Sequence, residues 1–514
     1  MGVGSKPRRP RALSSLEDSR QTSQFSLTRV RRGFLYSFVI IGAAWLLFFR
    51  TRAGSNDSFS KTIREKAYLL TSSISDEDLY GPPIPPRRVK ARIPLQSAIQ
   101  PLRLWGREVP ETRIIGIAGG WSLLDNVILM NETMFIVTNH PESFPEPQFM
   151  FSKSIEAAHG PSWPQSMPTS KEIQLINTTS AYSLFGSSAS RIEGVTFFCN
   201  DGPQYASNYY QLWAEVFFGF WRTYSMLDLN ISRDGVTTLA PPRRIIFPRI
   251  TRETFDDKGG LGAYISRAAF PSMGLEFADT WADRNETNRP FLLERVVIGD
   301  RVAAEHASEW PGLYKYAAPA FTLPGSPQDA WWAPIRRGLI QFLDQYDSPR
   351  SESAKGKVVV TYISRQRSTR RKLHSGDHLA LIKALETLHR GYNYEVNVVN
   401  MEELSKKDQL SLAARTTVMI GLHGNGLTHA LWMDPNVRPV LMEFFCDQGY
   451  SSDYEFPMRQ LGIAYYGWWN DKYFGHQNLP QVNFPREFHA NNIRIDAQAV
   501  VELILQHTQE SYPS

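Results

Sequence analysis

The chain has 514 residues, enough for more than one hydrophobic core, and its composition is that of a globular protein rich in aromatic side chains. The net charge of +5 is uneven, because residues 1–52 contain ten Lys or Arg against two acidic residues, which leaves the remainder at −3. A mildly acidic body argues against a protein that binds nucleic acid.

The basic segment leads into an apolar run over residues 34–49, FLYSFVIIGAAWLLFF, which contains no charge and no proline. The run is shorter than the roughly 20 residues of a typical membrane span, but thin early-secretory membranes accept shorter spans. The flanking positive charge predicts a cytoplasmic tail over residues 1–33. A cleaved signal peptide and a buried helix are the alternatives. We predict a type II membrane protein of the endoplasmic reticulum or Golgi apparatus, with a single signal-anchor and a lumenal catalytic domain.

Five N-x-S/T glycosylation sequons follow the apolar run, which fits a body that lies in the secretory lumen. Cys199 and Cys446 are the only cysteines, and in an oxidising lumen they either form one disulfide bond or remain as small buried hydrophobic residues. The sequence leaves both states open. The sequons begin at Asn56, Asn131, Asn177, Asn230 and Asn285.

Residues 50–104 have the composition of a stem, being polar and then containing GPPIPPRR at residues 81–88, which favours an extended backbone. Asp76 and Asp78 form a D-x-D spacing that can hold a divalent cation. No apolar framework surrounds them to hold metal ligands in place, so we interpret them as solvated acids and predict no metal site.

The region from residue 105 to residue 345 mixes two kinds of pattern. Apolar residues at helical spacing predict a largely buried helix over 209–228. Short runs rich in β-branched residues, each followed by a turn or a breaker, predict strands over 244–247 and 295–298.

From residue 355 onward, apolar strand-like runs alternate regularly with helical runs. This alternation predicts parallel βαβ units and a doubly wound α/β sheet, whose ligands bind at the carboxyl ends of the strands. The predicted strands cover 357–363, 394–399, the run from Val418 and 440–445; the predicted helices cover 377–390 and 408–417, with a short helix opening near Thr428.

The third of these strands runs into HGNG, a glycine-spaced turn that begins at His423. A strand, a tight turn and a helix N-terminus form an anion site, because unpaired backbone N–H groups point at the ligand. We therefore predict phosphate contacts from Gly424, Asn425 and Gly426. At the loop apex, His423 is better placed for a ligand contact than for the core.

The first of these strands runs into SRQRSTRRK at residues 364–372, which contains four arginines. Arginine suits phosphate because its planar guanidinium makes paired, charge-assisted hydrogen bonds. A solvated loop is the alternative. The shared sheet edge with the HGNG turn favours phosphate binding, which we assign to Arg365, Arg370 and Arg371.

Glu443 ends the strand after the HGNG turn, where an acidic residue is well placed for ribose hydroxyl groups. The G-x-x-G-x-G spacing from Gly421 differs from the G-x-G-x-x-G of dinucleotide sites, which weakens the case for a nicotinamide-dependent oxidoreductase without excluding it. A diphosphate site beside a ribose site predicts a nucleotide or nucleotide-sugar ligand.

Taken in order, these motifs resemble those of glycosyltransferase family 61 over residues 357–445. Asn425 replaces a usual Ala and His429 a usual Asn; both replacements are familiar in fungal members, as is WWNDKYF at 468–474. The family includes plant xylosyl- and arabinosyltransferases and animal O-linked GlcNAc transferases of the secretory pathway. The matching residues are Ile363-Ser364-Arg365, Arg370-Arg371, Gly421–Met433 and Glu443.

The resemblance implies an α/β, GT-B-like fold with two Rossmann-like domains facing across a cleft, after one transmembrane helix and a stem. Here they are residues 105–345 on the acceptor side and 355–514 on the nucleotide-sugar side. It also implies inverting transfer from a UDP-sugar, UDP-GlcNAc or UDP-xylose, to a glycan or glycoprotein hydroxyl, with no metal or other cofactor required. Members usually carry a His four residues before an acid in the first domain, where this chain has Gln211 and Glu215.

Glu215 and His423 are therefore the catalytic candidates. Glu215 is a candidate for the base that takes the proton from the acceptor hydroxyl, with Asp201 and His306 as alternatives, and it is equally well read as a structural acid. His423 is expected to contact phosphate or the donor sugar. The missing His also leaves open a second class of protein, a catalytically inactive glycan-binding or scaffold protein with a degenerate transferase fold.

Overall fold

The structure is a computed structural model that describes residues 101–155, 163–255, 259–308, 315–325, 330–343 and 357–511. The predicted basic tail, the apolar run at 34–49, the D-x-D spacing, the Asn56 sequon and most of the stem lie outside these residues. Among the described residues, no helix is long and apolar enough to cross a membrane. The described residues all belong to one compact unit.

The first sheet of the described chain is mixed rather than fully parallel. Strands β6 to β9 form its Rossmann-like part in the order β9-β6-β7-β8, all parallel, while β2-β3, β3-β4 and β3-β9 are antiparallel. The last residues of the predicted stem form β1, which pairs with β6. The strands are β1 Leu102–Leu104, β2 Arg113–Ala118, β3 Trp121–Met130, β4 Thr133–Val137, β5 Ile173–Ile176, β6 Ser188–Cys199, β7 Arg244–Ile246, β8 Gly274–Glu276 and β9 Phe291–Gly299.

The second sheet is the doubly wound sheet that the sequence predicts. Its order is β11-β10-β12-β13-β14-β15, and every neighbouring pair is parallel except β14-β15, which form an antiparallel hairpin. The strands from β10 to β13 confirm the predicted ones within two residues at each end. The strands are β10 Val359–Ile363, β11 Glu395–Val399, β12 Val418–Leu422, β13 Val440–Phe444, β14 Ala464–Trp469 and β15 Lys472–Gly475.

The helices confirm the predicted positions and differ in type at two of them. The predicted helix over 209–228 opens as a π-helical turn, Gln211–Val216, before it continues as an α-helix. The helix after the HGNG turn is a 3₁₀-helix over Asn425–Trp432. The α-helices are α1 Trp163–Ser166, α2 Thr178–Phe185, α3 Phe217–Ser225, α4 Leu261–Ala269, α5 Ala278–Glu286, α6 Arg301–His306, α7 Ala333–Phe342, α8 Ser375–Tyr392, α9 Lys406–Arg415, α10 Glu455–Gln460 and α11 Ala497–Ser511.

One hydrophobic core runs between the two sheets and positions the HGNG turn. Trp432, at the end of the 3₁₀-helix, packs against Trp213 with ring centroids 5.4 Å apart, and its Nε1 donates to the Tyr209 hydroxyl at 2.8 Å. Trp332 Nε1 donates to the Leu431 carbonyl at 3.2 Å. Buried indoles that also satisfy their N–H groups are strong anchors, so the turn is tied to elements from the first half of the chain.

Cys199 and Cys446 are both buried free thiols in the structure. Of the two states that the sequence leaves open, the fold shows the small buried hydrophobic residue at both positions. Burial raises the pKa of both thiols, which makes them poor nucleophiles at neutral pH.

Two helical glycines offer a test of the packing between α3 and β3. A Cβ at Gly219 would lie 2.1 Å from Trp121 Cζ2, whereas a Cβ at Gly391 in α8 would meet nothing within 4 Å. We expect Gly219→Ala to lower the free energy of unfolding by about 1–3 kcal/mol through overpacking. Gly391→Ala should be neutral or stabilising by about 0.5–1 kcal/mol. Urea unfolding followed by tryptophan fluorescence measures both, and equal effects of the two substitutions would contradict this packing.

Candidate active site

The HGNG turn lies at the carboxyl end of β12, where the sequence predicts it. Gly424 has φ +156°, a backbone conformation that favours glycine, and a Cβ there would lie 2.5 Å from Arg365 Nη1. The guanidinium therefore lies directly against the glycine. Tyr454 holds the turn from the other side, because its hydroxyl donates to the Gly424 carbonyl at 2.8 Å.

The arginine loop places unneutralised positive charge beside this turn. The Nε atoms of Arg365 and Arg371 are buried and have no hydrogen-bond partner within the described residues. Burial lowers the pKa of both guanidinium groups, and repulsion from Arg370 and from Arg365 lowers the pKa of Arg371 further. By contrast, Arg367 pairs with Glu403. Buried cations that repel one another call for an anion, so the structure brings together the residues predicted to hold phosphate.

A cavity of about 830 Å³ opens beside the arginine loop, within the size range of small-molecule sites. Tyr209 and Leu261, from the half of the chain that carries the first sheet, line one side. Arg365, Asn425 and His429 line the other. Three of the six predicted phosphate residues, Arg365, Asn425 and Gly426, thus border a space that has room for the rest of a nucleotide.

Glu443 is hydrogen-bonded to two neighbouring side chains. Its side chain is fully buried in β13, between Gly421 and Gly467 of the neighbouring strands. One carboxylate oxygen accepts from His423 Nδ1 at 2.6 Å and the other accepts from the Tyr465 hydroxyl at 2.7 Å. Both oxygens have hydrogen-bond partners in this structure, so the carboxylate orients His423, and the ribose contact stays a prediction.

The second ring nitrogen of His423 faces another acid. His423 Nε2 lies 3.7 Å from Asp453 Oδ2, and Asp453 Oδ1 accepts from Lys315 Nζ at 2.5 Å. Burial raises the pKa of Asp453, but Lys315 and other neighbours lower it, and the net result is a pKa below the usual value. The two ring nitrogens of His423 therefore face two different acids, Glu443 at Nδ1 and Asp453 at Nε2.

Glu215 is engaged in an ion pair. Its Oε2 accepts from Arg301 Nη2 at 2.8 Å, and the Arg301 guanidinium is sandwiched between the rings of Tyr205 and Tyr316 at 3.8 Å and 4.2 Å. Asp201 lies on the same arginine, accepting from the Arg301 backbone N–H at 2.9 Å. A carboxylate oxygen held by an arginine fits the structural reading of Glu215, and its role as the base stays a prediction.

His306, the other alternative base, is bonded at both ring nitrogens. Its Nε2 lies 2.9 Å from Ser166 Oγ and its Nδ1 lies 3.2 Å from the Gln148 carbonyl. It is buried in the first half of the chain and lines no part of the cavity beside the arginine loop. Among the described residues, no group of three or more His, Cys, Asp or Glu is arranged to hold a metal ion.

Four residues of the site escape prediction from the sequence: Lys315, Asp453, Tyr454 and Tyr465. Only Tyr465 had a signal in the sequence. If the pattern of parallel strands is continued to a fifth strand, β14, Tyr465 lies beside β13. From the sequence, His429 is identified only as a replacement for the Asn that is usual in the family. Its Nδ1 bonds the Gly426 carbonyl at 2.9 Å, and burial lowers its pKa to about 4, which keeps the ring neutral.

Comparison with known proteins supports the motif-based resemblance. Residues 305–440 match the sequence profile of the family Glycosyltransferase 61, which confirms the resemblance. The matched residues include the arginine loop and the HGNG turn. Similar proteins include the EGF domain-specific O-linked N-acetylglucosamine transferases of Drosophila melanogaster, 31% identical over 112 residues, and of Mus musculus, 35% identical over 115 residues.

The similarity to these relatives is partial. Each aligned stretch covers 22% of this chain and 20% of the relative, so this chain matches about a fifth of the length of the curated relatives. The family profile is the comparison that covers the HGNG turn and the arginine loop.

Asp201 gives this site a pH-dependent contribution to stability. Burial is the main cause that raises its pKa from 3.8 to about 6. Between these values the folded chain holds a proton that the unfolded chain releases, so the stability from this group is present below pH 4 and is lost as pH rises through about 6. The rise in pKa from 3.8 to about 6 corresponds to about 3 kcal/mol of folding free energy.

We expect Asp201→Asn to remove this pH dependence while it keeps the hydrogen bond from the Arg301 backbone. Urea unfolding between pH 4 and pH 7.5 should then show a gap between wild type and variant that changes by about 3 kcal/mol across the range. Asp283→Asn, on the exposed face of α5, is the matched control. Parallel curves for wild type and Asp201→Asn would rule out a proton on this carboxyl.

Proposed function

We propose that this chain, which carries a glycosyltransferase 61 region, transfers a sugar from a nucleotide-diphosphate sugar to a hydroxyl group of a glycan or glycoprotein. The main support is the pair of half-buried arginines, Arg365 and Arg371, whose buried Nε atoms have no hydrogen-bond partner within the described chain and of which Arg365 lies against the HGNG turn. Such a pair supports a doubly charged diphosphate as the natural ligand.

The proposed donor is a UDP-sugar. The similar proteins are named as O-linked N-acetylglucosamine transferases, which supports UDP-GlcNAc, with UDP-xylose as the alternative within the family. The cavity beside Arg365 has room for the nucleoside, and its walls carry hydrogen-bonding groups from Asn400, Glu402 and Gln409.

The arginines and the first amides of the 3₁₀-helix would stabilise the leaving diphosphate. The backbone N–H groups of Asn425 and Gly426 open that helix, so neither has a carbonyl partner within it. Fixed positive charge at the point where negative charge develops lowers the activation barrier, because the surrounding groups need not reorient during the reaction. This arrangement supports a reaction that requires no divalent cation.

His423 is the proposed base for the transfer. Its Nε2 takes the proton of the acceptor hydroxyl while the hydroxyl oxygen forms a bond to the anomeric carbon on the face opposite the diphosphate. The bond from the anomeric carbon to the diphosphate breaks, the electron pair leaves with the phosphate oxygen, and the configuration inverts. Glu443 holds the tautomer through Nδ1–H, and Asp453 lies where it stabilises the resulting imidazolium.

The cellular setting is also part of the proposal. The basic tail and the apolar run at residues 34–49 support a single-pass type II protein of the Golgi apparatus or endoplasmic reticulum. The donor, the glycan or glycoprotein acceptor and the membrane would then be its partners, and the described chain would lie in the lumen.

A catalytically inactive glycan-binding or scaffold protein is the second candidate. One observation favours it: Gln211 replaces the usual His, and Glu215 is tied to Arg301. Turnover separates the two candidates. A pure preparation that binds UDP but neither transfers nor hydrolyses any UDP-sugar would favour the scaffold.

The donor site is tested by nucleotide binding to the purified full chain. We expect UDP to raise the melting temperature and EDTA to leave both binding and turnover unchanged. Arg365→Ala and Arg371→Ala should each weaken UDP binding by about tenfold to a hundredfold, because each removes a charge-assisted hydrogen bond. Arg390→Ala, an arginine on the exposed surface of α8, is the matched control. Strict dependence of activity on Mn²⁺ would overturn the metal-free mechanism.

The role of His423 is tested by separating turnover from binding. We expect His423→Ala to lower kcat by about 10²–10⁴-fold, as loss of a general base does, while the Kd of UDP changes little. Glu443→Gln keeps the shape of the buried side chain and should lower kcat less. Glu215→Gln should leave turnover near normal. If His423→Ala raises the Kd of UDP and spares kcat, His423 is a phosphate ligand rather than the base.

A further inference from the structure

A second cavity, of about 670 Å³, lies on the same edge of the second sheet as the HGNG turn. It opens at the carboxyl ends of β13 and β14, and the cavity beside the arginine loop shares none of its lining residues. The sequence motif WWNDKYF contributes four lining residues in a row, Trp469 to Lys472. The proposed donor site leaves this motif without a role.

The hairpin between β14 and β15 presents polar groups at the cavity from a fixed turn. Trp469 pairs with Lys472 across the ladder, so Asn470 and Asp471 form a two-residue turn, with Asn470 in the left-handed region at φ +51°. The Asp496 backbone N–H donates to the Asn470 carbonyl at 2.8 Å and holds the turn. Amide and carboxylate side chains on such a turn are pre-organised hydrogen-bonding groups.

Trp469 provides a half-buried aromatic surface in the same cavity. Its Nε1 donates to the Gly449 carbonyl at 2.6 Å, and its ring packs on Phe474 with centroids 4.9 Å apart, so the ring cannot swing freely. A fixed indole face suits a ligand that has one apolar face and a polar rim. A sugar ring has this form, with C–H groups on its face and hydroxyl groups around its edge.

The remaining walls combine apolar groups, from Pro485, Ala490 and Ile493, with charged groups of both signs that include Lys472 and Arg494. Asp447, Asp471 and Glu487 line the cavity, and within the described chain none of the three forms an ion pair. They are not arranged as a metal site, since the described residues contain no group of three suitable ligands. Carboxylates accept hydrogen bonds from hydroxyl groups and bind them more strongly than neutral acceptors do.

Phe488, the sequence neighbour of the lining residue Glu487, lies beside the proposed catalytic histidine. The Phe488 ring lies 5.2 Å from the His423 ring, and it also packs under Gly449, where a Cβ would lie 3.1 Å from Phe488 Cδ2. Glu487, the neighbour of Phe488, lines the cavity. Trp469 is bonded to Gly449 and Gly449 packs on Phe488, so these contacts link the cavity to His423.

We propose that this second cavity, formed by Trp469, Asn470, Asp471, Asp447 and Glu487, is a saccharide-binding subsite for a neutral glycan acceptor. The inference rests on the proposed transferase function, which requires a glycan or glycoprotein acceptor. The sugar ring stacks on Trp469, and its hydroxyl groups donate to the carboxylates. A lysine-rich peptide is the competing occupant that the acidic lining would also attract.

Binding of neutral disaccharides to the full chain tests this subsite. The probes are N,N′-diacetylchitobiose, xylobiose, mannobiose and galactobiose, observed by saturation-transfer NMR and titrated for Kd without donor. At least one should bind, and Asp471→Asn and Glu487→Gln should each weaken it by about tenfold, as expected for loss of a charged hydrogen-bond acceptor. Both residues are exposed, so the substitutions preserve the fold.

The matched control is Glu108→Gln, which changes an acid in another open cavity of about 670 Å³, lined by Glu108 and Tyr182. It should bind the disaccharide as the wild type does. Failure of all four disaccharides, equal binding by wild type, Asp471→Asn and Glu487→Gln, or displacement of the sugar by oligolysine would each overturn the subsite.

A UDP titration of the same samples separates this inference from the proposed function. UDP binding without disaccharide binding removes the subsite and leaves the transferase intact. Disaccharide binding that is lost in Asp471→Asn and Glu487→Gln, in a chain that does not bind UDP, supports the subsite and refutes the donor site.

Discussion

Arg365 and Arg371 carry positive charge into the protein, and among the residues that the structure describes no carboxylate pairs with either of them; the surroundings of the HGNG turn are arranged around that charge. Burial and mutual repulsion both disfavour it, so the surrounding fold must supply the stability. It does so through the parallel sheet and through Trp432, which ties the HGNG turn to the core shared by both sheets. An anionic ligand relieves the repulsion, which couples donor binding to the stability of the fold.

The acids near the site are engaged by neighbours and act mainly by positioning. Glu215 is held by Arg301, Asp453 by Lys315, and Glu443 by His423 and Tyr465. Each pair satisfies a charge that is costly to bury alone. The imidazole of His423 is in turn oriented by its contact with Glu443.

The fold of the second half was predictable because its signals are local. Alternating apolar runs predict a parallel sheet, and such a sheet aligns the carboxyl ends of its strands, so the meeting of Arg365 with the HGNG turn follows from two separate loops. The first sheet was less predictable. Its antiparallel pairs, such as β3 with β9, join segments far apart in the chain, and no local pattern specifies which strands become neighbours.

The sequence by itself determined the glycine turn, the arginine loop and the sheet edge that joins them, because backbone conformation and strand direction depend on neighbouring residues. Only the tertiary structure decided what the acids do. Whether Glu443 faces a ribose or a histidine depends on the strands beside it, where Gly421 and Gly467 leave room and Tyr465 supplies a hydroxyl. The partner of Glu215 lies 86 residues away on another helix. Such contacts arise from the packing of distant elements, which periodicity and spacing do not encode.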